Sequence, residues 1–111
     1  MTFQPIINSI IMLSKTYTPK RTVCKVTFTL PGDWANEGIN LVGDFNDWNE
    51  SADSMKKNKK GDWEITKRLK PESSYKFRYL IDNTRWENDD NADQYVPNEF
   101  EGEDSVVVTG K

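Results

Sequence analysis

Over residues 23–30 apolar and polar positions alternate with period two, placing Cys24, Val26, Phe28 and Leu30 on one face and Lys25, Thr27 and Thr29 on the other. Successive side chains of an extended chain point to opposite sides, so this pattern predicts a strand with one buried face. Pro31, Gly32 and Asp33 end it by turn chemistry, residues 34–38 form a connection, and the apolar run 39–42 predicts the next strand. That run leads into Gly43, Asp44, Phe45, Asn46, Asp47 and Trp48, a polar turn closed by a tryptophan. Turn formers have no need of a large flat aromatic unless it covers a core or meets a ligand.

Residues 55–60 predict a short edge strand, Asn58 to Asp62 a turn in which Gly61 takes positive φ, and residues 63–68 the returning strand of a hairpin. Lys56, Lys57, Lys59 and Lys60 on that edge read as a solvated guard against pairing with another sheet. The clearest strand covers residues 74–82, with Tyr75, Phe77, Tyr79 and Ile81 on one face and Lys76, Arg78 and Leu80 on the other. The aromatic face belongs to a core. Arg78 therefore points away from it, where its planar fork can hydrogen-bond a polar ligand. A tight turn at residues 82–85 delivers Trp86, and the last strand, residues 105–109, carries Val106, Val107 and Val108. No stretch sustains a 3.6-residue period. Short strands at hairpin spacing predict an all-β fold, an immunoglobulin-like β-sandwich of about seven strands.

Two regions fall outside this pattern. Residues 87–104 hold eight acidic residues, no basic ones and little periodicity, which predicts a long functional or mobile loop. At the other end, Phe3, Ile6, Ile7, Ile10, Ile11 and Leu13 make an apolar segment without a basic lead or a small-residue cleavage site, so it reads as neither signal peptide nor membrane span. Residues 1–20 are expected to be an extension and linker, with residues 14–21 the linker proper and Met12 a natural start. Residues 21–111 are expected to be the β-sandwich domain. The sharper alternative for the first residues is an apolar patch that docks on a partner or a second copy.

Composition narrows the function. A chain of 111 residues is one domain with a single modest core. Its net charge of −3 argues against a general nucleic-acid binder, which needs a surplus of Lys and Arg. With no histidine, the commonest general base, the usual triads and most zinc sites are excluded. The single cysteine, Cys24, permits no intrachain disulfide, reads as a small buried hydrophobe and fits a cytoplasmic protein. Asp89, Asn91 and Asp93 have the opening spacing of a calcium-binding loop, but Gln94 stands where that loop needs glycine and Phe100 where it needs glutamate. Carboxylates are plentiful, yet nothing in their spacing sets two of them across a cleft for glycoside hydrolysis. Trp48 and Trp86, outside the strand cores, have the chemistry of a sugar platform: an indole face packs on the C–H face of a pyranose, and polar neighbours meet its hydroxyls.

The order of residues Leu41 to Trp48, then Met55, Gly61, Asp62, Trp63 and Glu64, Leu69 to Pro71, Phe77 to Asp82, Trp86, Asn88 and Asp89, and finally Phe100 and Ser105 to Val107, resembles the isoamylase N-terminal or glycogen-binding early-set module. Such modules occur beside branching and debranching enzymes and in the beta subunit of AMP-activated protein kinase. The resemblance implies an immunoglobulin-like sandwich that binds α-1,4-linked glucan such as glycogen or starch, uses no cofactor or metal, and catalyses nothing. It puts the stacking tryptophans at Trp48 and Trp86, the basic hydrogen-bonding residue at Arg78, and the late loop with an apolar wedge and polar contacts at Phe100 and Asp104. Trp63 matches as part of the fold. The sequence departs from the family pattern at Asp82 and Asn83, where Asp-Gly is frequent, in a longer loop before Trp86, and at Asp104, where Asn is frequent. No catalytic domain follows Val108, so the expectation is a free-standing module. Its partners would be the polysaccharide and a glycogen-metabolising enzyme or other protein. The alternative is an adaptor that uses the same sandwich, the acidic loop and the N-terminal segment to dock on an enzyme without binding sugar.

Overall fold

The computed structural model describes residues 12–100 and 102–110. They form two antiparallel sheets packed as a sandwich. One has the order β1-β2-β5-β4, the other β3-β6-β9-β8 with β7 also paired to β6. The strands are β1 (Met12–Tyr17), β2 (Cys24–Leu30), β3 (Ile39–Gly43), β4 (Lys56–Lys57), β5 (Trp63–Leu69), β6 (Ser74–Ile81), β7 (Arg85–Glu87), β8 (Gln94–Pro97) and β9 (Glu103–Val108). The sequence expectation of an all-β sandwich holds, with β2 and β6 where alternation places them, β3 on the apolar run, β5 on the expected hairpin strand, and β9 starting two residues earlier than the expected 105–109.

The core lies between the inward faces. Phe28 and Phe77 are fully buried and meet edge to face with centroids 5.1 Å apart, and Phe77 meets Tyr79 at 5.6 Å. Edge-to-face geometry sets the positive ring edge against the negative ring face, adding about 1 kcal/mol per pair to the area term. Cys24, Val26, Leu30, Ile39, Leu41, Ile81 and Val107 complete the centre. Trp63 is buried and donates its indole N–H to the Gly32 carbonyl at 3.2 Å, so it serves the fold. Gly61 adopts φ +84° in the β4–β5 turn, and β4 is the outer strand of its sheet with both lysines exposed.

Three expectations are corrected. Residues 12–17, read as extension and linker, form β1 and pair with β2 from Met12↔Thr29 to Tyr17↔Cys24. Alternation is masked there because Lys15 occupies an inward position between Leu13 and Tyr17. Its ammonium reaches Asp93 at 2.6 Å and joins the open edges of the two sheets. The acidic segment is also more ordered than expected, since it contains β8 and the end of β7. Its polar side chains are spent internally. Asp89 is fully buried and accepts the Tyr79 hydroxyl at 2.6 Å, and the Asp89 N–H donates to Ser105 Oγ at 2.9 Å. Ser105 in turn donates to Asn88 Oδ1 at 2.8 Å. The edge strand expected over residues 55–60 shrinks to Lys56–Lys57. Residues 1–11, the proposed apolar docking segment, lie outside the described residues.

Candidate functional site

The turn after β3 divides its two aromatics between core and surface. Phe45 turns inward, with centroids 6.0 Å from both Phe28 and Tyr75. Trp48 is left half-exposed on the outer side. Asn46 organises the bend: its Oδ1 accepts the Gly43 N–H at 3.1 Å, and its Nδ2 donates to the Leu41 carbonyl at 3.0 Å and to Asp53 Oδ2 at 2.6 Å. Asp47 and Trp48 both take φ of 57°, which costs a non-glycine residue about 1–2 kcal/mol each. That strain is held by the Trp48 N–H bond to the Gly43 carbonyl at 2.9 Å and the indole N–H bond to Asp44 Oδ1 at 2.9 Å. Asp44 Oδ2 accepts the Lys76 N–H at 2.8 Å, so the carboxylate ties the tryptophan to β6.

Strand parity supplies the floor. Antiparallel partners share a face, so Lys76, Arg78 and Leu80 of β6, Val42 of β3, Trp86 of β7, and Asp104 and Val106 of β9 all lie on the outer side of this sheet. Val42, Leu80 and Val106 are buried, which makes the outer face a covered apolar floor. The longer loop before Trp86 resolves into a turn with Asp82 and Asn83 both at positive φ and the Thr84 N–H returned to the Ile81 carbonyl at 3.0 Å. β7 then sets Trp86 directly opposite Leu80. Asp82 also accepts the backbone N–H groups of Asn36, Gly38 and Glu37, and those bonds hold its carboxyl below the usual aspartate range.

One edge of β6 changes partner along its length. Ser74 to Phe77 pair with β9 and Tyr79 to Ile81 with β7, leaving Arg78 at the seam. Its Nε lies 4.0 Å from Asp104 Oδ1 and its guanidinium carbon 5.7 Å from the Trp86 ring centre. The same Nε is buried without a hydrogen-bond partner, the one such side-chain atom found among the described residues. An unsatisfied buried donor costs about 1–3 kcal/mol, more for a charged group, and the Asp104 carboxylate 4.0 Å away offsets part of that.

Above the seam lies a groove of about 890 Å³. Trp48, Arg78, Trp86, Phe100 and Asp104 all line it, so the structure gathers every site residue named from the sequence. Trp86 is 36% and Phe100 81% exposed, whereas Asp104 is buried and accepts from Asn98 Nδ2 at 3.2 Å. Asp44, Lys76 and Asn98 also line the groove and were not singled out from the sequence. Lys76 was available from parity, two residues before Arg78. Asn98 carried no periodic signal: it shapes the loop by accepting the N–H groups of Phe100 and Gly102 at 2.8 and 3.1 Å. Among the described residues no group of three or more His, Cys, Asp or Glu is arranged to hold a metal, and no helix is long and apolar enough to cross a membrane.

The Tyr79–Asp89 pair supports the strands on both sides of the seam and makes stability pH-dependent. Desolvation raises the Asp89 carboxyl above its ordinary value, partly offset by the bonds from Tyr79 and Asn91. A carboxyl raised in the folded state contributes stability that is complete below its unfolded pKa and lost as pH rises through the folded one. Tyr79→Phe removes the phenolic donor and raises Asp89 further. It is expected to cost about 1–3 kcal/mol at pH 7 and less toward acid, as the raised Asp89 carboxyl takes up its proton. Urea titrations of both proteins as the pH is lowered check this, and a cost that grows toward acid would contradict it.

The family model of carbohydrate-binding module 48, the isoamylase N-terminal domain, matches residues 19–96. That span contains Trp48, Arg78 and Trp86 and stops short of Phe100 and Asp104. No curated protein matches the chain. With the model covering most of the sequence and the two-sheet fold carrying the aromatic groove, this chain belongs to the carbohydrate-binding module 48 family, a family of non-catalytic binding modules.

Proposed function

We propose that the groove binds a neutral α-1,4-linked glucan and releases it unchanged. Trp48 and Trp86 serve as stacking walls, Arg78 as hydroxyl donor, Asp104 as acceptor and Phe100 as an apolar wedge. The observation that carries this reading is the groove itself, which sets two accessible indoles around the Arg78 guanidinium. The Arg78 side chain keeps 26% of its surface exposed, so its guanidinium can donate to a sugar hydroxyl from the groove, and the Asp104 carboxylate, 4.0 Å from Nε, has acceptor capacity for a hydroxyl proton. A glucan also suits a lining with four carboxylates, Asp44, Glu50, Glu99 and Asp104, against two cations, Lys76 and Arg78, where an anionic polymer would be repelled.

Covering about 100 Å² of each indole yields roughly 2–3 kcal/mol per ring. After the costs of association, dissociation constants of about a millimolar to a micromolar are expected. Tryptophan fluorescence titration with maltoheptaose, with cellohexaose as control, tests the proposal. Saturation by the α-linked chain and a much weaker response to the β-linked one are expected. No response to maltoheptaose at about 10 mM, about tenfold above the weak end of that range, would refute it.

A further inference from the structure

We infer that the opposite side of β7 carries a second, smaller carbohydrate-contact site, in which Trp34, Asp33, Arg85 and Glu87 hold one pyranose unit of a neutral glucan. It takes its ligand class from the proposed function but stands on different side chains. β7 is three residues long and pairs only with β6. Trp86 opposes Leu80 on the outer face, while Arg85 and Glu87 oppose Ile81 and Tyr79 and therefore face the other way. There they meet Trp34, the last residue of the short 3₁₀ turn Gly32–Trp34. The four residues line a shallow pocket of about 360 Å³.

The pocket has the components that the main groove has. Trp34 is half-buried, part of it packed on the core and part left to the pocket. Arg85 Nη2 donates to the Trp34 carbonyl at 3.2 Å, and Arg85 Nε donates to Glu87 Oε2 at 3.0 Å. Those two bonds fix the guanidinium beside the indole and engage two of its five donors. The Arg85 and Glu87 side chains remain 52% and 41% exposed, open to a ligand. An indole wall with cationic donors and carboxylate acceptors at its rim suits a pyranose better than a wholly apolar or an anionic ligand.

The site is also held together across the chain. Trp34 and Arg85 lie 51 positions apart in sequence. The Asp82 carboxylate, at the root of the β6–β7 turn, binds the backbone N–H groups of Asn36, Glu37 and Gly38 at 2.7–3.2 Å. The connection that carries Trp34 and the turn that carries Arg85 are thereby locked to each other. Because β7 is a free edge, a glucan passing around it reaches Trp86 on one side and the Trp34 pocket on the other. Long chains then bind more tightly than the groove alone allows, because the second contact forms at high effective concentration.

The test follows the four indole N–H signals by ¹H–¹⁵N NMR during titration with maltotriose and maltoheptaose. It uses the wild type, Trp48→Ala/Trp86→Ala, and Arg85→Ala, an exposed substitution. In the double variant the Trp34 signal is expected to keep moving with maltoheptaose, since that response no longer passes through Trp86. In Arg85→Ala the Trp34 response is expected to vanish while Trp48 and Trp86 respond as before, and the preference for maltoheptaose over maltotriose to fall several-fold. A stationary Trp34 signal while Trp48 and Trp86 saturate would overturn the second site and leave the proposed function standing. Movement of Trp34 with Trp48 and Trp86 silent would do the reverse.

Discussion

Trp48→Ala/Trp86→Ala is expected to lose all measurable retention on glycogen while keeping a cooperative melt within a few degrees of the wild type. Neither ring belongs to the buried core cluster, so truncation removes groove wall and not sandwich. At roughly 2–3 kcal/mol per ring the single variants lose about 30- to 150-fold in affinity. Together they lose more than about a thousandfold, which carries a millimolar to micromolar complex out of detection. Affinity electrophoresis through glycogen, with thermal melting beside it, gives both readings from one preparation. Retention of the double variant equal to the wild type would remove the groove from consideration. Cross-strand contact of Trp86 with Leu80 adds a small stability cost, which the melt separates from the binding loss.

Gly43→Ala is expected to destabilise the fold by about 3 kcal/mol, at the upper end of overpacking costs. The backbone angle is not the reason, since Gly43 is extended, at φ −175°. The reason is space. A Cβ there would sit 2.4 Å from the Lys76 carbonyl oxygen and 2.8 Å from Phe77 Cβ, both on β6. Backbone cannot step aside as a long side chain can, so β3 and β6 must separate where they pair at Gly43↔Phe77. The melting temperature should fall by more than about 10 °C for a domain of this size. Because the Gly43 carbonyl accepts the Trp48 N–H, glucan affinity measured well below the melt should also fall. A variant that melts with the wild type would show that the strands have slack that the close contact denies.

Much of this architecture is legible before any coordinates, and the illegible parts share a physical cause. Alternation reports strands whose inward positions are apolar, as in β2 and β6, and from β6 it also reports that Arg78 points outward. It fails where a polar residue takes an inward place because a partner on another strand satisfies it. Lys15 hides β1 in this way, through Asp93, and Asp89 and Ser105 hide the order of the acidic segment through Tyr79 and Asn88. β7 and β8 are too short to show a period at all. Within the groove, Trp48 and Trp86 are singled out by their chemistry and Arg78 by strand parity, Phe100 and Asp104 by a resemblance, and the structure brings all five together. Asn98 acts by shaping backbone, which no spacing rule anticipates.

The seam at Arg78 gathers its walls from three separate stretches of chain: the turn after β3, the strand β7, and the loop before β9. An unfolded chain holds those stretches apart and has no site to offer. Ligand binding and folding are therefore one linked equilibrium: under the proposed function, glucan at a hundred times its dissociation constant is expected to add about 2.7 kcal/mol to the stability of the whole sandwich. By the same linkage, destabilisation by itself, as at Tyr79, is expected to lower apparent affinity only once a sizeable fraction of the protein is unfolded. On the proposed function, the module is expected to be most stable where glucan is abundant, and its resistance to heat and proteolysis then to report how much glucan surrounds it.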